Sequence, residues 1–316
     1  MFSIIIPCFN KQNQILITLN SILNQTFHDY EVIIVDDGST DNSVSLINSV
    51  SDKRIKLIQQ QNAGVSAARN KAIENANGEW VAFLDADDWW HPEYLQNIHN
   101  TINIRSNAKI VTADFFSKPD ASDWQPNTWP LPSHLPQTKI IHNLPEHWLQ
   151  GIPFFTSSIC INTAFLMTMT PRFPEGESNG EDLDLWLRIA ENTVIIYLPI
   201  ELVVYRTEQK SSLTNQHESL EDPLFIKRMQ SRANKKDFPP QLKNATLLFA
   251  AQHKISRARQ AILLNNRRLA FKLLLTATYA IKTKRWWMTL LMTLLFPRTK
   301  IQKWQHNRSG TKELKQ

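Results

Sequence analysis

Val35-Asp36-Asp37-Gly38-Ser39-Thr40-Asp41 closes one hydrophobic run, and Phe83-Leu84-Asp85-Ala86-Asp87-Asp88 closes another. Between them, Asn62-Ala63-Gly64 opens a stretch of helical spacing that carries Arg69-Asn70. Two acidic clusters at strand ends, with a loop and a helix start between them, are what a metal-bridged nucleotide diphosphate requires. Apolar runs at 2–6, 30–35, 55–58, 80–84 and 110–113 are short, rich in β-branched residues and bounded by turn formers, so they predict buried strands. Segments 13–24, 42–50, 65–76 and 92–105 have helical spacing; Asp41 or Asn42 and Gly64 stand at N-terminal boundaries, and Pro92 suits a first turn. This alternation predicts an α/β fold, a mostly parallel, Rossmann-like sheet covered by helices. Ligands of such sheets sit beyond the carboxyl ends of the strands, where both acidic clusters fall.

Glycine is scarce, seven in 316 residues, yet Gly38, Gly64 and Gly78 all lie in this region at junctions. Such use points to positive φ or close backbone approach, with plain turn chemistry as the alternative. Asp36 and Asp37, followed by Gly-Ser, also read as turn and capping residues. Asp85, Asp87 and Asp88 are harder to place that way, because a divalent cation would relieve their mutual repulsion at a buried strand end. Hard oxygen ligands suit Mg²⁺ or Mn²⁺, which take one or two carboxylates and complete their shell with phosphate oxygens and water. Farther on, Glu181-Asp182-Leu183-Asp184-Leu185-Trp186-Leu187-Arg188 starts a helix after a polar loop. Taken alone, its acidic residues read equally as helix-dipole partners.

The bulk composition narrows the field. A hydrophobic fraction of 42% excludes wholesale disorder. The formal net charge of +6 hides a split: residues 1–222 hold 14 Lys and Arg against 27 Asp and Glu, net −13, and residues 223–316 hold 21 against 2, net +19. Such asymmetry predicts a basic segment that meets an anionic surface. Cys8 and Cys160 are too few for a disulfide framework and match no metal spacing; Cys8, at the end of an apolar strand, reads as a buried small hydrophobe in a reducing compartment. Met1 leads directly into the first strand, so no secretory signal is expected. Residues 115–148, with six of the sixteen prolines and Trp124, Trp129 and Trp148, read as a long irregular excursion of the kind that forms lids or binding loops. Short strands are expected around 194–198 and 202–205, and helices from about 219 with a turn at Asn265-Asn266.

The ordered set Ile-Ile-Pro-Cys-Phe-Asn, Leu-Asn-Gln-Thr, Val-Asp-Asp-Gly-Ser-Thr-Asp, Asn-Ala-Gly with Ala-Arg-Asn, Gly-Glu-Trp-Val-Ala-Phe-Leu-Asp-Ala-Asp-Asp and Gly-Glu-Asp-Leu-Asp-Leu-Trp-Leu-Arg closely resembles glycosyltransferase family 2 over residues 1 to about 205. The resemblance implies a GT-A fold and an inverting transfer from a nucleotide sugar, with uridine as the expected base, to an acceptor hydroxyl. It implies a catalytic domain over 1–215, divided into a nucleotide-sugar half at 1–114 and an acceptor half at 115–215, followed by a basic α-helical extension at 216–316. Pro7, Asn10, Asp36, Asp37, Gly64, Arg69 and Asp85 are then the donor-binding residues. Asp85 and Asp87 hold Mn²⁺ or Mg²⁺, Asp182 is the base, and Glu181, Trp186 and Ser157 are candidates for acceptor contact. Asn10 stands where an aromatic residue is often seen, with Phe9 beside it, and the excursion at 117–145 aligns with nothing, which leaves acceptor recognition open.

Near the C-terminus, Lys284-Arg285 precedes an apolar run from Trp286 to Phe296, and Pro297-Arg298 and Lys300 follow. As a helix the run reaches about 16 Å against roughly 30 Å of bilayer hydrocarbon, so it cannot span. It suits an in-plane helix on an anionic membrane with its Trp pair at headgroup level, the alternative being a packing or dimer contact. Together these features predict a bacterial-type enzyme at the cytoplasmic face of the cell membrane, acting on a surface polysaccharide or lipid-linked glycan. Oligomerisation stays open. Two rivals are a catalytically inactive partner subunit and a nucleic-acid binder using the basic segment; no nucleic-acid motif or aromatic interleaving supports the latter.

Overall fold

A computed structural model describes residues 1–118, 129–132, 136–151, 153–177, 180–207 and 222–296. The chain divides into two compact units, Met1–His217 and Glu218–Gln316. In the first, strands β1 (Phe2–Cys8), β2 (Tyr30–Asp36), β3 (Ile55–Gln59) and β4 (Trp80–Phe83) pair in parallel in the order β3-β2-β1-β4. Ile4, Ile5, Ile6, Val32, Ile33 and Ile34 are all fully buried, as expected where helices cover both faces and the strands read as continuous apolar runs. The sheet continues through β8 (Ile159–Asn162), β6 (Ile110–Lys118), β9 (Ile195–Arg206) and β5 (Trp89–Trp90), with β7 (Lys139–Ile141) also paired to β9. β8 is antiparallel to both of its neighbours.

Helices α1 (Ile15–Leu23), α2 (Ser43–Asn48), α3 (Val65–Glu74), α4 (Tyr94–Ile104), α5 (Leu144–Gln150), α6 (Thr163–Met167) and α7 (Glu181–Asn192) complete this unit. The helix expected over 42–50 is shorter, with Asn42 at its N-terminal boundary and Asp41 Oδ1 accepting from the Ser43 amide at 2.9 Å. The two strands expected around 194–198 and 202–205 are the single strand β9. Its pairing with β6 jumps from Ala113↔Leu198 to Asp114↔Glu201, passing over Pro199, which has no amide to donate. The excursion at 115–148 is less irregular than expected, because β6 runs on to Lys118 and β7 and α5 lie within it. Its stretches 119–128 and 133–135, including Trp124, lie outside the described residues, as does the chain from Pro297 onward.

The second unit is helical: α8 (Leu224–Ala233), α9 (Pro240–Leu263), α10 (Arg267–Thr276) and α11 (Lys284–Leu295). Asn265 takes a left-handed φ of 62° and Asn266 caps α10, so the turn falls on the expected dipeptide. Ala251, Ala258 and Ala261 on α9 leave room for Leu274, Trp286 and Met292 in a shared core. Among the described residues, no helix is long and apolar enough to cross a membrane.

Gly78 illustrates how tightly the sheet end is built. Its amide donates to Ser3 Oγ at 2.7 Å, and an added Cβ would lie 2.6 Å from the Ser3 amide nitrogen and 2.8 Å from the Phe2 carbonyl carbon. Both neighbours are backbone of the central strand and cannot swing aside. Gly78→Ala should therefore cost about 1–3 kcal/mol of stability, read as a lower thermal midpoint; an unchanged midpoint would mean that the Phe2–Ser3 backbone yields.

Candidate active site

The two acidic clusters occupy the carboxyl ends of β2 and β4, the strands on either side of β1. Pro7, half-buried at the end of β1, stands opposite Val35. Asn10 takes a left-handed φ of 53°; its Oδ1 accepts from the Thr40 amide at 2.8 Å and its own amide donates to Ser39 Oγ at 2.9 Å. The loops after β1 and β2 are thereby joined. Asp36 is buried, and its Oδ2 accepts from the Ser39 amide at 3.2 Å while Oδ1 has no protein partner. Asp37 does different work. Its Oδ1 accepts from Gln60 Nε2 at 2.8 Å and the Ala63 amide at 2.9 Å, and its Oδ2 from the Gly64 amide at 2.8 Å. The amides leading into α3, expected to face a diphosphate, already carry this carboxylate. Gly64 permits the arrangement with a φ of 92°.

Arg69 projects from α3 and is almost wholly buried. Its Nη2 donates to Asp85 Oδ1 at 2.7 Å, its Nη1 donates to Glu181 Oε1 at 3.1 Å, and its guanidinium carbon lies 5.3 Å from the centre of the Phe173 ring. Burial opposes the charge of Arg69, but the Asp85, Glu181 and Asp182 carboxylates outweigh it and raise its pKa above the ordinary arginine value. Burial, followed by the Asp182 charge, pushes the Glu181 carboxyl up against the pull of Arg69.

A short 3₁₀ turn, Thr156–Ser158, links the remaining acids. Thr156 Oγ1 donates to Asp182 Oδ2 at 2.8 Å, and Ser157 Oγ donates to Asp88 Oδ2 at 2.6 Å while accepting from the Asp85 amide at 3.0 Å. The β4–β8 register explains the placement: Ala82 faces Cys160, so continuing the antiparallel pairing brings Asp85 opposite Ser157. Asp88 is buried, also accepts from the Arg206 amide at 3.1 Å, and has its pKa pushed well up by burial and by the Asp87 and Asp85 charges. Asp87 pairs with Lys11 Nζ at 2.5 Å.

Donor, metal and base candidates thus converge at one end of the sheet, whereas the three acceptor candidates need correction. Trp186 is 1% exposed, packed edge-on against Phe83 and Phe173, and belongs to the core. Ser157 is fully buried and orients Asp85 and Asp88. Glu181 is also buried, as the partner of Arg69. None of the three side chains is open to an acceptor. Thr156 and Lys11, by contrast, escaped the sequence reading: a hydroxyl before a strand and a lone lysine after a turn carry no signal of their partners. Among the described residues, no three His, Cys, Asp or Glu side chains converge as a metal site. Asp85 and Asp87 still supply the one or two carboxylates that Mg²⁺ or Mn²⁺ takes beside phosphate and water, and the Lys11 ammonium at Asp87 is a cation already accommodated there.

A mostly parallel sheet with acids at its strand ends is a nucleotide-binding type of fold, and the family match supplies its class. The family model described as glycosyl transferase family 2 matches residues 3–162, just over half of the chain, and the chain belongs to that family. Glycosyltransferase GlyA of Streptococcus pneumoniae is 38% identical over 117 residues, 36% of this chain and 17% of that protein. UDP-Glc:alpha-D-GlcNAc-diphosphoundecaprenol beta-1,3-glucosyltransferase WfgD of Escherichia coli is 27% identical over 223 residues, 70% of this chain and 82% of that one. Among solved structures, S. aureus TarS 1-349 in complex with UDP-GlcNAc aligns with a TM-score of 0.66 at 21% identity, over 90% of this chain and 82% of that chain. This likeness establishes the GT-A fold.

The Arg69 bridge generates a stability test. Arg69→Met leaves Glu181 buried without its counter-charge, which should cost about 3–5 kcal/mol in chemical denaturation near neutral pH. The folded variant would then hold a proton on Glu181 that the unfolded chain has released, so its stability should rise as pH falls through the raised Glu181 pKa. A deficit that is the same at all pH values would show that packing against Phe173, not charge, makes Arg69 important.

Proposed function

We propose that the chain is an inverting glycosyltransferase that moves a sugar from a UDP-linked donor to an acceptor hydroxyl. The observation that carries this reading is the Arg69 bridge, which ties Asp85, the donor-side carboxylate, to the residue immediately before Asp182. Asp182, at the first turn of α7 and half-buried, takes the proton of the attacking hydroxyl, a contribution typically worth 10²–10⁴-fold in rate. Thr156 Oγ1 donates to its Oδ2 and the Leu183 amide to its Oδ1 at 2.7 Å, which together hold the carboxylate in place. Attack from the face opposite the leaving diphosphate inverts the anomeric carbon. Asp85 and Asp87 are the residues that would hold Mg²⁺ or Mn²⁺, which when bound neutralises charge developing on the leaving group. Asp36, with its unpartnered buried oxygen, is the acid available to a nucleoside donor group, while Asp37 shapes the loop around it.

The acceptor reading is a lipid-linked glycan at an anionic membrane surface. The name of the E. coli relative specifies a UDP-Glc donor and a diphosphoundecaprenol acceptor. The second unit adds its own support. Trp287, Leu291, Leu294 and Leu295 line one exposed face of α11, and Lys272, Lys282 and Lys284 are exposed in the same unit. Each basic residue near an anionic leaflet adds about 1 kcal/mol of attraction. The Trp pair does not act together: Trp286 faces inward, its Nε1 donating to the Leu274 carbonyl at 3.0 Å, so Trp287 alone is the outward anchor.

Two measurements test these assignments. Asp182→Asn should cut kcat by about 10²-fold or more with donor affinity nearly intact, and Asp87→Asn should abolish both transfer and Mn²⁺-dependent UDP binding. Collapse of donor affinity in Asp182→Asn would move the base elsewhere. For the membrane, Trp287→Glu combined with Leu294→Glu should sharply reduce cosedimentation with phosphatidylglycerol vesicles at an unchanged melting temperature, since both side chains are more than half exposed. Equal sedimentation of variant and parent would sink the membrane reading. Truncation before Lys284 is a poorer test, because it also removes Trp286 and Met292 from the helical core.

A further inference from the structure

Lys11 stands among the donor-site acids with a backbone that is fixed on both sides. Its amide donates to Ser43 Oγ at 2.8 Å, and its carbonyl accepts from the Gln14 and Ile15 amides at 3.0 and 2.9 Å. Ser43 is itself held, its hydroxyl donating to Asp41 Oδ1 at 2.5 Å. The preceding residue, Asn10, is locked in a left-handed conformation by the loop after β2. This anchored turn aims the lysine side chain across the sheet end to Asp87, 76 positions away in sequence. The pair is only about one-fifth exposed on either side.

The chemistry of the three neighbouring acids is correspondingly divided. Asp85 is neutralised by buried Arg69, Asp88 is satisfied by Ser157 and the Arg206 amide, and Asp87 is neutralised by Lys11. An ammonium and a divalent cation compete for the same carboxylate. A cation arriving alone must displace Lys11 and leave that charge without compensation. A cation arriving with a diphosphate brings the anion that the released ammonium needs, on a stem of four methylenes whose root stays anchored.

We propose that Lys11 is an internal counter-ion that exchanges from Asp87 to a diphosphate oxygen, so that the metal ion and the nucleotide bind as an energetically coupled pair. This inference rests on the glycosyltransferase reading, from which it takes the diphosphate donor. It assigns Lys11 to positioning and to donor binding, with no part in bond making.

The test measures binding, not turnover. Mn²⁺ binding is followed by loss of the free-ion electron paramagnetic resonance signal, with and without UDP, in the full chain. The parent protein should bind Mn²⁺ weakly alone and at least about 5-fold more tightly with saturating UDP, as coupled sites do. Lys11→Gln should strengthen Mn²⁺ binding in the absence of UDP, weaken UDP binding, and so shrink the coupling severalfold. Lys11→Arg, which keeps the charge, should retain most of the coupling. Loss of affinity for Mn²⁺ alone in Lys11→Gln, or coupling equal to that of the parent, overturns the proposal. A parent protein that binds Mn²⁺ and UDP independently overturns it too, while leaving the donor site standing. Should the parent bind no UDP even with Mn²⁺, the donor reading fails first and the Lys11 assignment falls with it.

Discussion

A guanidinium excluded from water needs carboxylates within hydrogen-bond reach, and Arg69 finds them 16 residues away at the exit of β4 and 112 residues away at the start of α7. Leaving a buried ion of this kind unpaired costs several kcal/mol, so the fold is held to a geometry in which both partners are present. Two distant parts of the first unit are registered by that requirement. Because Glu181 is fixed by Arg69, Asp182 is fixed one residue later on the first turn of α7. A separate contact then sets its rotation: the Thr156 hydroxyl binds one of its oxygens. The position of the candidate base therefore follows from a charge-satisfaction constraint at its neighbour together with two contacts of its own, to the Thr156 hydroxyl and the Leu183 amide.

Hydroxyls do the finer work. Thr156, Ser157 and Ser158 are all buried, and each partners a different element: Asp182 on α7, Asp88 beyond β4, and Thr112 on β6 at 3.0 Å. The antiparallel strand β8 delivers them. Slipping its register by one residue would turn Ser157 away from Asp85 and break its bonds to the Asp85 amide and the Asp88 carboxylate. The one reversed strand between β4 and β6 thus connects the carboxylates beyond β4 to Asp182 on α7, and its pairing is specified by Ile159 and Ile161 being fully buried.

What could be seen from the residues alone follows the same physics. β1, β2 and β4 were legible because a strand buried on both faces must be apolar throughout, and their acidic ends stand out by contrast. β5 has two residues, too short for any periodicity to emerge, and β8, four residues long like β4, has no acidic cluster at its exit to mark it. Trp186 looked like a site residue because it lies close in sequence to Asp182. Residues four apart share a helix face, so Trp186 lies one turn beyond Asp182 on the same side of α7, where that face is packed against Phe83 and Phe173 and is closed to solvent. Asp36 and Asp37 looked equivalent, yet a strand sends consecutive side chains to opposite sides. One is left with an oxygen that no protein group meets, and the other clamps three groups of the loop before α3. Lys11 was invisible for a different reason: only the fold brings it to an acid 76 residues away.

Helix α11 carries the same lesson into the second unit. Its sequence is apolar nearly all round, which on a free surface helix would be unstable in water. The fold covers one side, where Trp286 and Met292 join the alanine-lined core of α9 and α10, and leaves Trp287, Leu291, Leu294 and Leu295 outside. Packing thus explains half of the hydrophobicity and leaves the other half for a surface of matching character. The segment that carries this face has a net charge of +19, whereas residues 1–222 have −13 and would by themselves be repelled by an anionic leaflet. Under the membrane reading proposed above, screening at physiological salt confines that repulsion to roughly 8 Å, so attraction of the basic segment would act at shorter range than the Debye length.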